Sequence, residues 1–97
     1  MPTYAIFLRF TDQGIRNIKE SPKRLDAVKA AVKAAGGELK AFYLALGEYD
    51  ALVVSEARDD ESVAKLLLGV GAQGNLRTTT MRLFTEPEYR AIIAGLP

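Results

Sequence analysis

The sequence predicts an α+β domain in which a four-stranded antiparallel sheet carries its helices on one face. Three observations predict it. Four short runs are rich in β-formers with period-two alternation, two longer runs repeat apolar residues at helical spacing, and the order is strand–helix–strand twice over. That order is the ferredoxin-like βαββαβ unit. No linker, low-complexity tract or solenoid-period repeat interrupts it, so residues 1–97 read as a single domain.

Residues 3–10 form the first predicted strand, with Ile6, Leu8 and Phe10 on one face and Ala5, Phe7 and Arg9 on the other. A polar stretch over 11–20 follows, with one short helical turn expected around Ile15–Ile18. Ser21 reads as a helix N-cap with Pro22 at the first helical position. Leu25, Val28, Val32 and Ala35 then recur at helical spacing until Gly36-Gly37 ends the run. Residues 38–46 predict the second strand, with Phe42, Leu44 and Leu46 opposite Leu39, Ala41, Tyr43 and Ala45. Gly47-Glu48 turns the chain into a third strand over 49–56. Asp59-Asp60-Glu61 places carboxylates at the positive end of a second helix, whose stripe is Val63, Leu66, Leu67 and Val70. Residues 76–84 make the fourth strand, and Thr85-Glu86-Pro87-Glu88 is a capping box opening a short terminal helix with Tyr89, Ile92 and Ile93.

Two helices cover only one face of such a sheet. The stronger aliphatic set (Ile6, Leu8, Leu44, Leu46, Leu52, Val54, Met81, Leu83) is expected beneath them. The open face is then expected to show Phe7, Arg9, Tyr43, Tyr49, Ala51, Val53, Thr78, Thr80 and Arg82. A solvated face alternates to plainly polar residues, and this one does not. A second copy is therefore expected to cover it, giving a homodimer with room for a higher oligomer. The plainer alternative is a monomer with some exposed aromatics.

Composition narrows the chemistry. Thirteen basic and twelve acidic residues leave a net charge of +1, which disfavours nucleic-acid binding by bulk charge. No apolar run reaches the roughly 18–20 residues of a membrane span. The start lacks the basic region of a signal peptide, so a soluble cytoplasmic protein is the default expectation. With neither His nor Cys in the chain, a thiolate nucleophile, a His general base and a zinc site fall away. No cofactor or metal is expected. Chemistry would rest on carboxylates, Tyr, Lys, Arg, hydroxyls and amides.

Four segments carry the most specific text: Arg9-Phe10-Thr11-Asp12-Gln13-Gly14-Ile15-Arg16-Asn17-Ile18, Ser21-Pro22-Lys23-Arg24, Gly47-Glu48-Tyr49-Asp50, and Gly74-Asn75-Leu76-Arg77-Thr78-Thr79-Thr80. On them the chain resembles the GYD family of small proteins, with Leu83 standing where a smaller residue is expected. A similar Gly-acidic-Tyr-Asp turn occurs in effector domains of Lrp/AsnC-type regulators. Both resemblances imply a dimeric α/β-barrel, two sheets packed face to face. No helix-turn-helix accompanies the fold, so a DNA-binding regulator is not implied, and the resemblance carries no reaction.

Chain direction brings all four segments to one end. If the first strand rises, the 10–17 segment, the start of the first long helix, the 47–50 turn and residues 74–78 share the top. The candidate ligand-binding residues are therefore Arg9, Thr11, Gln13, Arg24, Tyr49, Asp50, Asn75 and Arg77. A helix N-terminus beside Lys23 and Arg24, with Arg77 and Arg9 near, suits an organic carboxylate or phosphate. Against each stands a bland role: a solvated first turn for Lys23 and Arg24, interface hydrogen bonds for Arg9 and Arg82, and a hairpin lock for Asp50 with Tyr49 packed beside it.

The favoured function is thus a homo-oligomeric module that binds or senses a small anionic metabolite. The alternative is a small cofactor-free oxygenase, isomerase or decarboxylase using Asp50, Tyr49 or Tyr43, and Arg9. A purely structural subunit of a larger assembly is a third reading.

Overall fold

The computed structural model describes residues 1–97 as β1 (Thr3–Phe10), α1 (Asp12–Arg16), a 3-10 turn (Ile18–Glu20), α2 (Ser21–Ala34), β2 (Glu38–Leu44), β3 (Ala51–Glu56), α3 (Asp60–Ala72), β4 (Leu76–Leu83) and α4 (Glu86–Ala94). The strands pair antiparallel in the order β2-β3-β1-β4, as the ferredoxin-like reading requires. None of the helices is long and apolar enough to cross a membrane.

Local boundaries follow from capping. Thr11 is extended and its hydroxyl accepts the Gly14 N–H, so the first helix begins at Asp12, earlier than the turn expected near Ile15. Ser21 is not a cap. The 3-10 turn runs directly into α2, which leaves Ser21 already helical and Glu20 in the cap position without a side-chain bond. Asp59 caps α3 by accepting the Ser62 N–H at 2.8 Å, and that bond holds its carboxyl below the usual range. The expected capping box is present at α4, with Thr85 and Glu88 bonding reciprocally.

The strand faces depart from the sequence reading in three of the four strands. Register places Ala51, Val53 and Ser55 opposite Leu8, Ile6 and Tyr4, and all six are buried beneath the helices. Leu52 and Val54, expected there, pair with Phe7 and Ala5 on the open face. In β4, Met81 lies opposite Ala5, and Leu83 follows it, so both leave the helix side. Thr78, Thr80 and Arg82 pair with Leu8, Ile6 and Tyr4 and take the helix side instead. In β2 an irregularity between Leu39 and Ala41 shifts the phase, putting Leu39 with Phe42 against the core. Beyond it β2 stops at Leu44, and Leu44 and Leu46 are 71% and 98% exposed where burial is expected from the sequence.

The smaller side chains of β3 thus lie under α2 and α3, while Phe7, Leu52, Val54, Tyr43 and Met81 gather on the uncovered face. Tyr43 and Met81 are 60% and 52% exposed. The chain buries only 11 of its 97 residues, few for a domain whose sheet should be shielded on both sides. Its radius of gyration is 14.7 Å, against about 12–13 Å for a compact chain of this length. The terminal segment is loosely attached: α4 bonds within itself, to the residues just flanking it and to Arg82, and Tyr89, Ile92, Ile93 and the following Leu96 are exposed.

Tyr4 ties the sheet to α3. Its ring is 3% exposed and its hydroxyl donates to Asp60 Oδ1. Burial, reinforced by that bond and by the carboxylate charge, pushes the phenol from 10.0 up to about 12. A raised folded value favours the protonated form, so this stabilisation is complete below pH 10 and is lost as pH climbs from 10 towards 12. Urea melts at pH 9 and pH 11.5 should show a drop in wild type that is smaller in Tyr4→Phe.

Candidate functional site

The upper end of the molecule is held by a clasp between the start of α1 and the turn preceding β4. Thr11 N donates to Asn75 O at 3.1 Å and Thr11 Oγ1 to Gly74 O at 2.5 Å. Gln13 Nε2 donates to Gln73 O and to Asn75 Oδ1, each at 3.0 Å. The approach is close because Gly14 has no side chain: a Cβ there would overlap Asn75 O. Gly74 supplies the turn itself, at φ +85°, a left-handed conformation that glycine adopts without strain. Thr11, Gln13 and Asn75 are therefore together, as the connectivity predicts, and their polar atoms are spent mainly on one another and on backbone.

Asp50 has a comparable role on the other side of β1. Its Oδ2 accepts the Phe10 N–H at 2.9 Å, and its own N–H donates to Leu8 O at 2.8 Å. The 45–50 hairpin is thereby fastened to β1 just where the β1–β3 ladder ends.

Sequence reasoning misses that the sheet divides the remaining candidates. Arg9, Tyr49 and Arg77 gather on the open face. Arg9 pairs with Glu48 Oε1 at 3.1 Å and its guanidinium sits 4.7 Å from the Tyr49 ring centroid. Tyr49 in turn packs on Phe7, ring centroids 4.9 Å apart. Arg77 stands directly opposite Arg9 in the β1–β4 register, and its side chain makes no hydrogen bond or ion pair. Glu48 already balances Arg9, so Arg77 is the cation of this corner left without a counter-charge, and it suits an incoming carboxylate.

Arg24 lies on the opposite side, under the helices. Nη1 donates to Asn17 O at 3.1 Å, but Nη2 is buried without any partner. Lys23, its neighbour, points elsewhere and makes an exposed 3.6 Å pair with Glu20, worth little. Arg24 stands at the mouth of an apolar slot of about 70 Å³ between α2, α3 and the sheet. Ser21, Gln73, Asn75 and Thr78 also reach the lining. Gln73 is not singled out by the sequence, and the sequence reading puts Thr78 on the other face. The signal for Thr78 is its alternation with Leu76, a slot residue two positions earlier. Nowhere do three or more carboxylates cluster in a way that could hold a metal ion.

The sequence matches the family model described as GYD domain over residues 4–93. It is 32% identical over 82 residues, covering 84% of this chain and 86% of the other, to the "Glutamine synthetase and cystathionine beta-lyase binding protein" of Thermus thermophilus. Among solved structures, that of MtbAldR superposes with a TM-score of 0.68 at 15% identity over 88% of this chain. The chain spans about half, 52%, of the length of MtbAldR. TTHA0845 from Thermus thermophilus superposes with a TM-score of 0.54 at 20% identity, covering 88% of this chain and 95% of that one. At such identities the two structures speak for the fold alone.

The clasp yields a contrast between two glycines. Gly14→Ala should lower stability by about 1–3 kcal/mol, because the Asn75 backbone must give way. Gly69→Ala, in mid-α3 with nothing within 4 Å, should raise it by about 0.5–1 kcal/mol. Urea midpoints at fixed m-value measure both.

Proposed function

The chain belongs to the GYD domain family, and from that premise we propose that it is a homodimeric module that binds a small anionic metabolite and presents its liganded state to a protein partner. The observation that carries this reading is the buried guanidinium nitrogen of Arg24. A buried donor of a charged group ordinarily finds an acceptor, and the slot it borders is the place where one could arrive. Its partner would be a carboxylate or phosphate oxygen.

Homodimerisation is supported by the open face. Phe7, Tyr43, Leu52, Val54 and Met81 form a contiguous apolar surface, more apolar than the sequence suggests. A second copy laid face to face would bury it, and an acidic group of that copy would suit Arg77. The protein partner is carried over from the Thermus thermophilus relative, whose name states that it binds two enzymes. We extend to this chain only the class of function, a binding protein, and not those partners.

The competing enzymatic reading needs Asp50 as a base and Tyr49 as a proton donor. Asp50 already accepts a backbone N–H that fixes the hairpin, and Tyr49 is stacked between Phe7 and Arg9. Both groups have structural employment, which favours binding over turnover.

Light scattering after size exclusion should report a dimer for wild type and a monomer for Leu52→Asp. Calorimetric titration with a panel of organic anions should give at least one saturable response that falls tenfold or more in Arg24→Ala, with Arg77→Ala as the open-face control. Equal responses in all three proteins would reject Arg24 as the recognition group.

A further inference from the structure

The lining of the slot beneath the helices selects its occupant. Fourteen of its twenty lining residues are hydrophobic, among them Leu25 and Val28 of α2, Phe42 and Val53 of the sheet, and Leu67 and Val70 of α3. The one charged side chain in the lining is Arg24, and no Asp or Glu contributes to the wall. Near Arg24 the polar groups are neutral: Ser21, Gln73, Asn75 and Thr78. The distant end is closed by Val32 and by Ser55, whose one hydroxyl proton is taken by the backbone carbonyls of Glu38 and Glu56 and so is not offered to an anion.

Three physical consequences follow. An apolar cavity of this kind gains from an apolar occupant and rejects strongly hydrated groups. Its volume of about 70 Å³ equals on the order of five to seven water-sized spheres. And a cation in the ligand would meet Arg24 with no carboxylate to balance it, so an ammonium group is repelled.

Resting on the reading of this chain as an anion-binding module, we infer that the slot binds a compact branched aliphatic monocarboxylate lacking an amino group. The carboxylate meets the Arg24 guanidinium at the mouth, where the side chain must turn slightly to uncover Nη2, and the tail, about four to six carbons by the volume above, lies among Leu25, Val28, Phe42 and Leu67. The class includes simple and 2-oxo acids and excludes the corresponding α-amino acids. The lone donor and the carboxylate form a charge-assisted bond in a partly dry site, and the tail supplies the remaining affinity through burial.

Titration calorimetry on the full chain tests this with 4-methylpentanoate, its 2-oxo derivative, leucine, malonate and inorganic phosphate. Two variants accompany wild type: Arg24→Ala, and Val28→Phe, which fills the slot and leaves the guanidinium in place. Both are checked for wild-type melting and oligomeric state, and Arg24→Lys serves if Arg24→Ala fails to fold. The expected result is saturable binding of 4-methylpentanoate and its 2-oxo derivative, at least tenfold weaker in each variant and at least tenfold weaker for leucine. Binding of malonate or phosphate through Arg24, unaffected by Val28→Phe and unmatched by the aliphatic acids, would overturn this inference and leave the anion-binding reading standing. Leucine binding as tightly as 4-methylpentanoate would also overturn it. No response to any of the five probes would overturn it for this ligand class; together with a blank organic-anion panel, it would remove the anion-binding reading too.

Discussion

A four-stranded sheet with helices on one side has a second face that its own chain cannot cover, and most of this molecule's organisation follows from that. Both βαβ halves return their helices to the same side, so α2 and α3 shield one surface of the sheet and nothing shields the other. The chain does not answer with a polar outer face. It places Phe7, Leu52, Val54, Tyr43 and Met81 there, and adds a terminal helix whose apolar residues also find nothing within the subunit. With so little of the chain buried, the isolated subunit lacks the two-sided shielding that normally stabilises a sheet. Association is the physical remedy that such a surface admits.

The helix side is constrained differently. Ala51, Val53 and Ser55 are modest in size, and Thr78 and Thr80 of the neighbouring strand are polar at one end. The large side chains of β3 lie on the opposite face, so the layer between helices and sheet is incompletely filled at its upper end. Arg24 reaches the edge of that space from the first turn of α2, anchored by the carbonyl of Asn17. The clasp around Asn75 holds the other lip in place through hydrogen bonds from Thr11 and Gln13. Three of the four segments with the most specific sequence thus reach the slot, through Phe10, Arg24 and Asn75 among others, whereas the 47–50 turn serves the open face; the walls come from ordinary apolar positions of α2, α3 and the sheet.

Much of this is legible in the sequence because element order and chain direction need only periodicity and punctuation. The Gly36-Gly37 stop, the Thr85 capping box and the meeting of residues 11–17 with 74–75 are all readable on those grounds. Faces are not, for a definite reason. In Ala51-Leu52-Val53-Val54-Ser55 both alternating sets are apolar but for Ser55, so amplitude cannot say which is covered. Size points the larger set inward, whereas proximity of the helices requires the smaller one. In β2 the irregularity after Leu39 breaks the period on which any such assignment depends. Arg82 shows the same limit: an open-face residue by alternation, it lies on the Tyr4 side, its guanidinium 4.4 Å from the Phe84 ring. Arg24's orphaned nitrogen has no sequence signal at all, since nothing in Ser21-Pro22-Lys23-Arg24 says which of two adjacent cations turns inward.

The two surfaces are not independent, because one strand serves both. Along β3, Ala51, Val53 and Ser55 face the slot while Leu52 and Val54 face the open side, so successive residues of a single backbone segment belong to different sites. Such a strand transmits displacement efficiently: its hydrogen bonds to β1 and β2 on either flank prevent it from yielding sideways. An occupant pressing on Val53 from the helix side therefore presses on the seat of Leu52 and Val54, and a second copy seated on those residues resists it. If the proposed slot ligand and the proposed face-to-face dimer both form, any coupling carried by this strand is reciprocal: each alters the affinity of the other by the same factor.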